Sequence, residues 1–195
     1  MTTEPLPLAV LLLVAYLLGS VSSAVLVCRA LRRPDPRTAG SRNPGATNVL
    51  RIAGKDAAAM TLVGDMLKGV LAVAMARALA GDPLVWTLAG AAAFLGHLYP
   101  VFFGFRGGKG VATALGALLT ATPWAGAAAL ATWLVVVGLF RISALGALVA
   151  FALAPVYVAV TTQAPALVVV TTAVSLMLFW RHRSNIRNLL AGTET

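Results

Sequence analysis

Four polar stretches of this chain carry side chains able to hold an oxyanion. The first, Ala39-Gly40-Ser41-Arg42-Asn43-Pro44-Gly45-Ala46-Thr47-Asn48-Val49-Leu50-Arg51, mixes glycines, hydroxyls, amides and cations. Backbone amides beside Gly40 and Gly45, hydrogen bonds from Ser41, Asn43, Thr47 and Asn48, and the Arg51 fork are what a phosphate needs. Composition alone reads it equally well as a Gly/Asn/Pro turn with membrane-flanking arginines. The second, Gly104-Phe105-Arg106-Gly107-Gly108-Lys109-Gly110-Val111-Ala112-Thr113, leads straight into an apolar run. Glycine-freed amides and a lysine at a helix N-terminus form an anion site, the competing reading being a flexible hairpin with a snorkelling lysine. A Walker A loop would require Gly at Phe103 and Ser or Thr at Gly110, so ATP hydrolysis has no support.

The third stretch, Gly64-Asp65-Met66-Leu67-Lys68-Gly69, lies within an apolar run. Asp65 and Lys68 share a helix face, either as a self-compensating structural pair or with Lys68 reaching a phosphate. The fourth is the tail from Trp180 to Glu194, where His182 and Asn185 share a face and His182 has the ordinary pKa range for proton transfer or phosphate pairing. Taken alone, a terminal basic helix reads as a membrane-surface anchor. His97 reads as a buried hydrogen-bonding residue rather than a catalyst.

The elements that must position these groups are membrane spans. The chain has 195 residues, 59% of them hydrophobic and only 11% charged, with a mean hydropathy of +0.89 and a formal net charge of +9. Such a composition belongs in a bilayer and gathers the charge into the segments between apolar runs. Cations in short loops beside hydrophobic spans fit anionic lipid rather than nucleic acid. Cys28 is the one cysteine, and no His/Cys cluster has metal spacing, so redox and zinc chemistry are not expected. Seven apolar segments are expected to cross, at about 6–27, 57–80, 84–103, 111–122, 124–140, 142–160 and 165–181. The 111–122 segment is the shortest. Arg29, Arg32 and Arg33 follow the first run and no cation precedes it, so it reads as a span with an outward N-terminus rather than a cleaved signal. Seven crossings then place 28–56, 104–110, the Arg141 turn and 182–195 in the cytoplasm with nearly all cations, leaving Arg77 at an outer boundary and Lys68 within a span. The fold class expected is an all-α integral membrane bundle, one transmembrane domain, N-terminus outside and C-terminus cytoplasmic.

Taken together, the stretches resemble the bacterial acyl-phosphate-dependent glycerol-3-phosphate acyltransferases, the PlsY family, over nearly the whole length. The residues carrying the likeness are Gly19-Ser20, Gly40-Ser41 through Asn48 and Arg51, and Gly64-Asp65 with Lys68-Gly69. They continue with Gly96-His97, Gly107 through Thr113, and His182 with Asn185-Ile186, Leu189-Leu190, Gly192 and Glu194. The resemblance implies an inner-membrane enzyme that moves a fatty acyl group from acyl phosphate to the 1-hydroxyl of glycerol 3-phosphate, yielding lysophosphatidic acid and phosphate. It aligns Ser41, Arg51, Lys109, His182, Asn185 and Glu194 with functional positions. Expected substrate contacts are Gly40, Asn43, Gly45, Thr47, Asn48, Lys68, Gly107, Gly108, Gly110 and Glu194, and no metal or cofactor is called for. The partners are the two substrates and membrane lipid; a monomer would suffice. Three positions depart from the family pattern: Ser22 stands for proline, Arg42 for glycine and Asn188 for arginine. Arg187 would project about 100° from Asn188 on a helix, so it does not replace the missing side chain. His182, oriented by Asn185, or a substrate oxygen is expected to take the hydroxyl proton. A transporter of phosphate-bearing solutes would want more polar residues deep in its helices, and a structural subunit leaves the glycine loops unexplained.

Overall fold

The computed structural model describes residues 5–194, with side chains from Pro7 onward. The flank Met1–Glu4, part of the argument for an outward start, and Thr195 at the end of the tail lie outside the described residues. Among the described residues every regular element is helical. The chain forms two compact units, one ending at Ala117 and the other beginning at Leu118.

In the first unit, α1 (Pro5–Gly19) and α2 (Ser23–Ala30) together make the first span, one apolar stretch over Pro7–Ala30 broken at residues 20–22. Ser22 caps α2 by position, so the break exists without the family's proline. α3 (Ala46–Ala53) lies inside the expected connection 28–56, and α4 (Lys55–Leu79) starts at Lys55 rather than 57. An eight-residue helix is too short for its period to be read from sequence, although α3 buries Asn48 and Val49 on one face. α5 (Pro83–Leu98) starts on Asp82, whose carboxylate accepts from the Leu84 amide at 2.8 Å, with Pro83 pre-set for the first turn. The chain then leaves α5 at Tyr99-Pro100 and makes a short 3-10 turn, Val101–Phe103.

Small residues let these helices touch backbone to backbone, which supplies the packing that lipid cannot drive. A Cβ on Gly19 would strike the Ala93 backbone, and one on Gly96 would strike the Tyr16 carbonyl, so α1 and α5 cross in direct contact. The Tyr16 hydroxyl donates to the Tyr99 carbonyl at 2.7 Å across the same pair. A core of Leu11, Ala15, Ala72, Ala76, Val85, Ala89 and Ala93 joins α1, α4 and α5. Gly69 and Gly116 make equally close approaches between α4 and α6 (Val111–Ala121).

The second unit contains α7 (Pro123–Phe140), α8 (Ser143–Thr162), α9 (Pro165–Arg181) and α10 (Arg183–Leu190). Pro123 and Pro165 open their helices at the position where a missing N–H does no harm. Gly146 of α8 admits the Trp133 ring and Val137 of α7, and Thr132 and Tyr157 share a 2.7 Å hydroxyl hydrogen bond across that pair.

All seven expected apolar segments are helical. Pro7–Ala30, Lys55–Leu79, Pro83–Phe103, Pro123–Phe140 and Ser143–Thr162 are long and apolar enough to cross a membrane. α9 qualifies only together with α10, from which it is bent by 61°. The 11 residues of α6 reach about 16 Å, roughly half of the hydrocarbon thickness of about 30 Å.

Candidate active site

The first polar loop is organised by one side chain. Asn48 is 1% exposed; its Oδ1 accepts from the Ser41 amide at 2.8 Å, and its Nδ2 donates to the Pro36 and Ala39 carbonyls, each at 3.0 Å. Asn48 was expected to touch substrate; its two amide protons and its carbonyl oxygen are engaged in shaping the loop. Gly40 serves the same end. Its φ of +60° is open to glycine, and a Cβ there would strike Asn48 Oδ1. The result leaves Ser41 exposed just before α3, with Gly45 at the helix N-cap, Asn43 half-buried, and Thr47 and Arg51 exposed along α3.

Asp35 and Arg37 fasten the start of this loop. Asp35 Oδ1 accepts from the Arg37 amide at 2.9 Å and from Nε at 3.0 Å, and Oδ2 accepts from the guanidinium at 2.7 Å. The hydrogen bonds from Arg37 hold the Asp35 carboxyl below its ordinary value, against partial burial that pushes the other way. The Arg37 guanidinium also lies 5.9 Å from the Phe103 ring centroid, tying the loop to the turn after α5.

The glycine loop, 104–110, is non-helical, as its composition predicts, with a turn at Gly104 and Phe105 and positive φ at Gly110, and delivers the chain to α6. Gly108 is buried against two groups. A Cβ there would meet the His97 ring at Nε2 and come within 3.0 Å of the Pro44 carbonyl. Its amide donates to the His97 carbonyl at 3.2 Å. A Cβ on Gly107 would strike the carbonyls of His97 and Leu98, and one on Gly110 the Phe94 ring. The two loops singled out by sequence therefore meet, Pro44 of one against Gly108 of the other, with Lys109 half-buried between glycines.

Beneath the loop lies a buried polar cluster. Lys68 Nζ is 3.0 Å from Asp65 Oδ1 and donates to the Val21 carbonyl at 2.9 Å. His97 Nδ1 lies 3.3 Å from Thr113 Oγ1 and 3.6 Å from Asp65 Oδ1, and the Thr113 hydroxyl donates to the Asp65 carbonyl at 2.9 Å. Lys68, expected to reach substrate, is 4% exposed, and its ammonium neutralises Asp65 and finishes the broken end of α1. Sequence had marked Thr113 only as part of the glycine motif, and no local signal announces that its hydroxyl would link α6 to α4.

In the second unit His182 is 3% exposed, at the junction of α9 and α10. Its Nδ1 lies 2.8 Å from the Leu178 carbonyl, an acceptor only, so Nδ1 bears a proton. The ring is thus oriented by Leu178, whereas the Asn185 amide donates to Glu194 Oε1. The other carboxylate oxygen accepts from Asn188 at 3.2 Å. Glu194, expected at the substrate, forms a clasp that folds the tail back on α10, and Asn188 joins it.

A sequence profile of the family described as glycerol-3-phosphate acyltransferase matches residues 9–192. The glycerol-3-phosphate acyltransferase of Halorhodospira halophila is 53% identical over 186 residues, covering 95% of this chain and 94% of its own. That of Thioalkalivibrio sulfidiphilus is 57% identical over 185 residues, covering 94% and 91%. A crystal structure of PlsY, an integral membrane glycerol 3-phosphate acyltransferase, in its glycerol 3-phosphate form superposes with a TM-score of 0.91 at 36% identity, covering 97% of this chain and 94% of that one. The lysophosphatidic acid form gives 0.89 at 35% identity. With its spans, its paired polar loops and its whole length matched, the chain belongs to the glycerol-3-phosphate acyltransferase family as a multi-pass integral membrane protein.

Proposed function

We propose that this chain transfers a fatty acyl group from acyl phosphate to the 1-hydroxyl of sn-glycerol 3-phosphate, giving lysophosphatidic acid and inorganic phosphate, the first acylation of phospholipid synthesis. The observation that carries the reading is the glycine loop with Lys109, packed through Gly108 against the loop that presents Ser41. Two adjoining anion-binding loops suit a reaction in which donor and acceptor each bear a phosphate. The solved relatives in glycerol 3-phosphate and lysophosphatidic acid forms support the acceptor and the product.

Acyl phosphate is a mixed anhydride, so no covalent nucleophile is required. The substrate hydroxyl oxygen attacks the acyl carbonyl carbon, the bond from that carbon to the phosphate oxygen breaks, and phosphate leaves with the electron pair. Lys109 and the Gly107 to Gly110 amides hold one phosphate, while Ser41, Arg51 and the N-terminal turn of α3, with Asn43, Gly45 and Thr47, hold the other. His182 Nε2, set for proton acceptance by the Leu178 carbonyl, takes the hydroxyl proton, and Asn185 and Glu194 keep the tail around it in shape.

The same reading makes the chain one transmembrane domain of seven crossings in the bacterial inner membrane, with a shortened crossing at α6 and the polar loops facing the cytoplasm. The cation distribution supports that orientation.

Purified protein given palmitoyl phosphate and glycerol 3-phosphate is expected to release phosphate and lysophosphatidic acid one for one, and Lys109→Ala is expected to abolish both. A folded wild type that turns over only with an acyl thioester would overturn the donor. Retention of activity by Lys109→Ala would remove the glycine loop from the site.

A further inference from the structure

His97 has no assigned part in the reaction, yet the glycine loop is shaped around it. Its backbone carbonyl accepts from the Gly108 amide, and with the Leu98 carbonyl it fills the space a side chain on Gly107 would need. Its ring occupies the space that a side chain on Gly108 would need. The Pro44 carbonyl, three residues from Ser41 along the first loop, lies within 3.0 Å of the same point. Gly108 is therefore the place where the ring and the Ser41 loop both close on the glycine loop.

The ring is itself fixed. The Thr113 hydroxyl has a single proton, which goes to the Asp65 carbonyl, so toward His97 Nδ1 its oxygen is an acceptor. Asp65 Oδ1 stands farther off, at 3.6 Å, as a charged neighbour that also pairs with Lys68 at 3.0 Å. Thr113 therefore accepts the hydrogen bond from the Nδ1 proton, and Nε2 faces the loop at Gly108. The arrangement repeats the logic by which an outer carboxylate orients a functional imidazole, but here the imidazole orients backbone amides.

We propose that His97, locked by Thr113 and Asp65, is a positioning residue that sets the distance between the Lys109 loop and the Ser41 loop. The proposal rests on the reading of the glycine loop as a phosphate site. It predicts a loss concentrated in phosphate recognition, repaired by any side chain that restores a donor at the Nδ1 position.

The test compares His97→Ala with His97→Asn, whose amide places an N–H near Nδ1, and Thr113→Val with Thr113→Ser, in detergent-solubilised full-length protein. His97→Ala and Thr113→Val are expected to raise KM for glycerol 3-phosphate or acyl phosphate by about tenfold or more while kcat moves by less than about threefold. His97→Asn and Thr113→Ser are expected to return KM to within about threefold of wild type. Gly108→Ala, which drives a methyl into the ring, is expected to harm His97→Ala protein less than wild type. Inorganic phosphate binding, followed calorimetrically, gives the same ranking independently of turnover. An unchanged KM in His97→Ala, no rescue by asparagine or serine, or additive effects of Gly108→Ala and His97→Ala would each overturn the proposal. Wild-type protein that binds phosphate with this ranking but makes no lysophosphatidic acid would overturn the proposed function and leave this inference standing.

Discussion

Replacing Asn48 by aspartate changes one NH2 into one oxygen, and the structure states what that removes. Oδ1 keeps its hydrogen bond from the Ser41 amide. The two donations to the Pro36 and Ala39 carbonyls become contacts between oxygens at 3.0 Å. Two lost hydrogen bonds amount to about 2 kcal/mol, and leaving buried carbonyls facing an acceptor adds roughly another 1–3 kcal/mol. The sum, about 3–5 kcal/mol, falls on the loop rather than on the helices, because all three partners of Asn48 lie in residues 36–41. At about 1.4 kcal/mol per factor of ten, the ordered loop is disfavoured relative to the open one by at least about a hundredfold. Part of this is absorbed by the loop's own stability, so the corresponding fall in kcat/KM is a ceiling. Two assays read it together: acyl transfer to glycerol 3-phosphate, and the rate of tryptic cleavage after Arg37, which is half-buried and held by Asp35 in the ordered loop. Asn48→Asp is expected to lose activity and gain cleavage in parallel, with thermal unfolding of the helices little changed. Activity within about threefold of wild type, with cleavage unchanged, would refute the claim that Asn48 builds the loop.

Asn188→Arg, which places a guanidinium beside Glu194, is expected to keep activity and raise the unfolding temperature by a degree or two, since a partly exposed pair gains less than about 1 kcal/mol; a fall in stability would show that the clasp needs the shorter amide. Lys68→Met leaves Asp65 buried beside an unanswered Val21 carbonyl and is expected to cost about 3–5 kcal/mol, read as lost folded yield. Asp65→Asn in the same chain is expected to recover part of that yield, and a double variant no better than Lys68→Met would count against the pair. Because the folded state lowers the Asp35 carboxyl, the pairing with Arg37 contributes stability above the ordinary value of 3.8, and that contribution is lost as pH falls through the depressed one. Asp35→Asn is accordingly expected to unfold earlier than wild type near neutrality and alike in strong acid, and a difference that persists in acid would contradict the sign.

Long apolar runs are legible because a bilayer demands about 20 consecutive residues, and the segments expected at 57–80, 84–103, 124–140 and 142–160 match α4, α5 with its 3-10 turn, α7 and α8 closely. What sequence could not convey is which polar side chains turn inward. Asn48 and Lys68 have the residue types of ligands yet are buried, and in the first polar loop Asn48 sits among residues that do face outward. The distinction depends on partners far along the chain, such as Val21 for Lys68, and on others nearby but set by loop geometry, such as Pro36 and Ala39 for Asn48. The break at residues 20–22 falls in Gly19-Ser20-Val21-Ser22-Ser23, a patch of small and hydroxyl residues that an apolar run of this length tolerates as continuous helix, so composition alone does not mark it.

That break has a bearing on how the protein is made. The Val21 carbonyl, without a helical partner, and the Lys68 ammonium are each costly to leave in hydrocarbon, and each satisfies the other. The first span is thus unfinished by itself, whereas Lys68 already has Asp65 as a partner on its own helix and a proton to spare for Val21. An emerging first span would have to keep its broken centre near water, or within the insertion machinery, until α4 arrives 47 residues later with the missing donor.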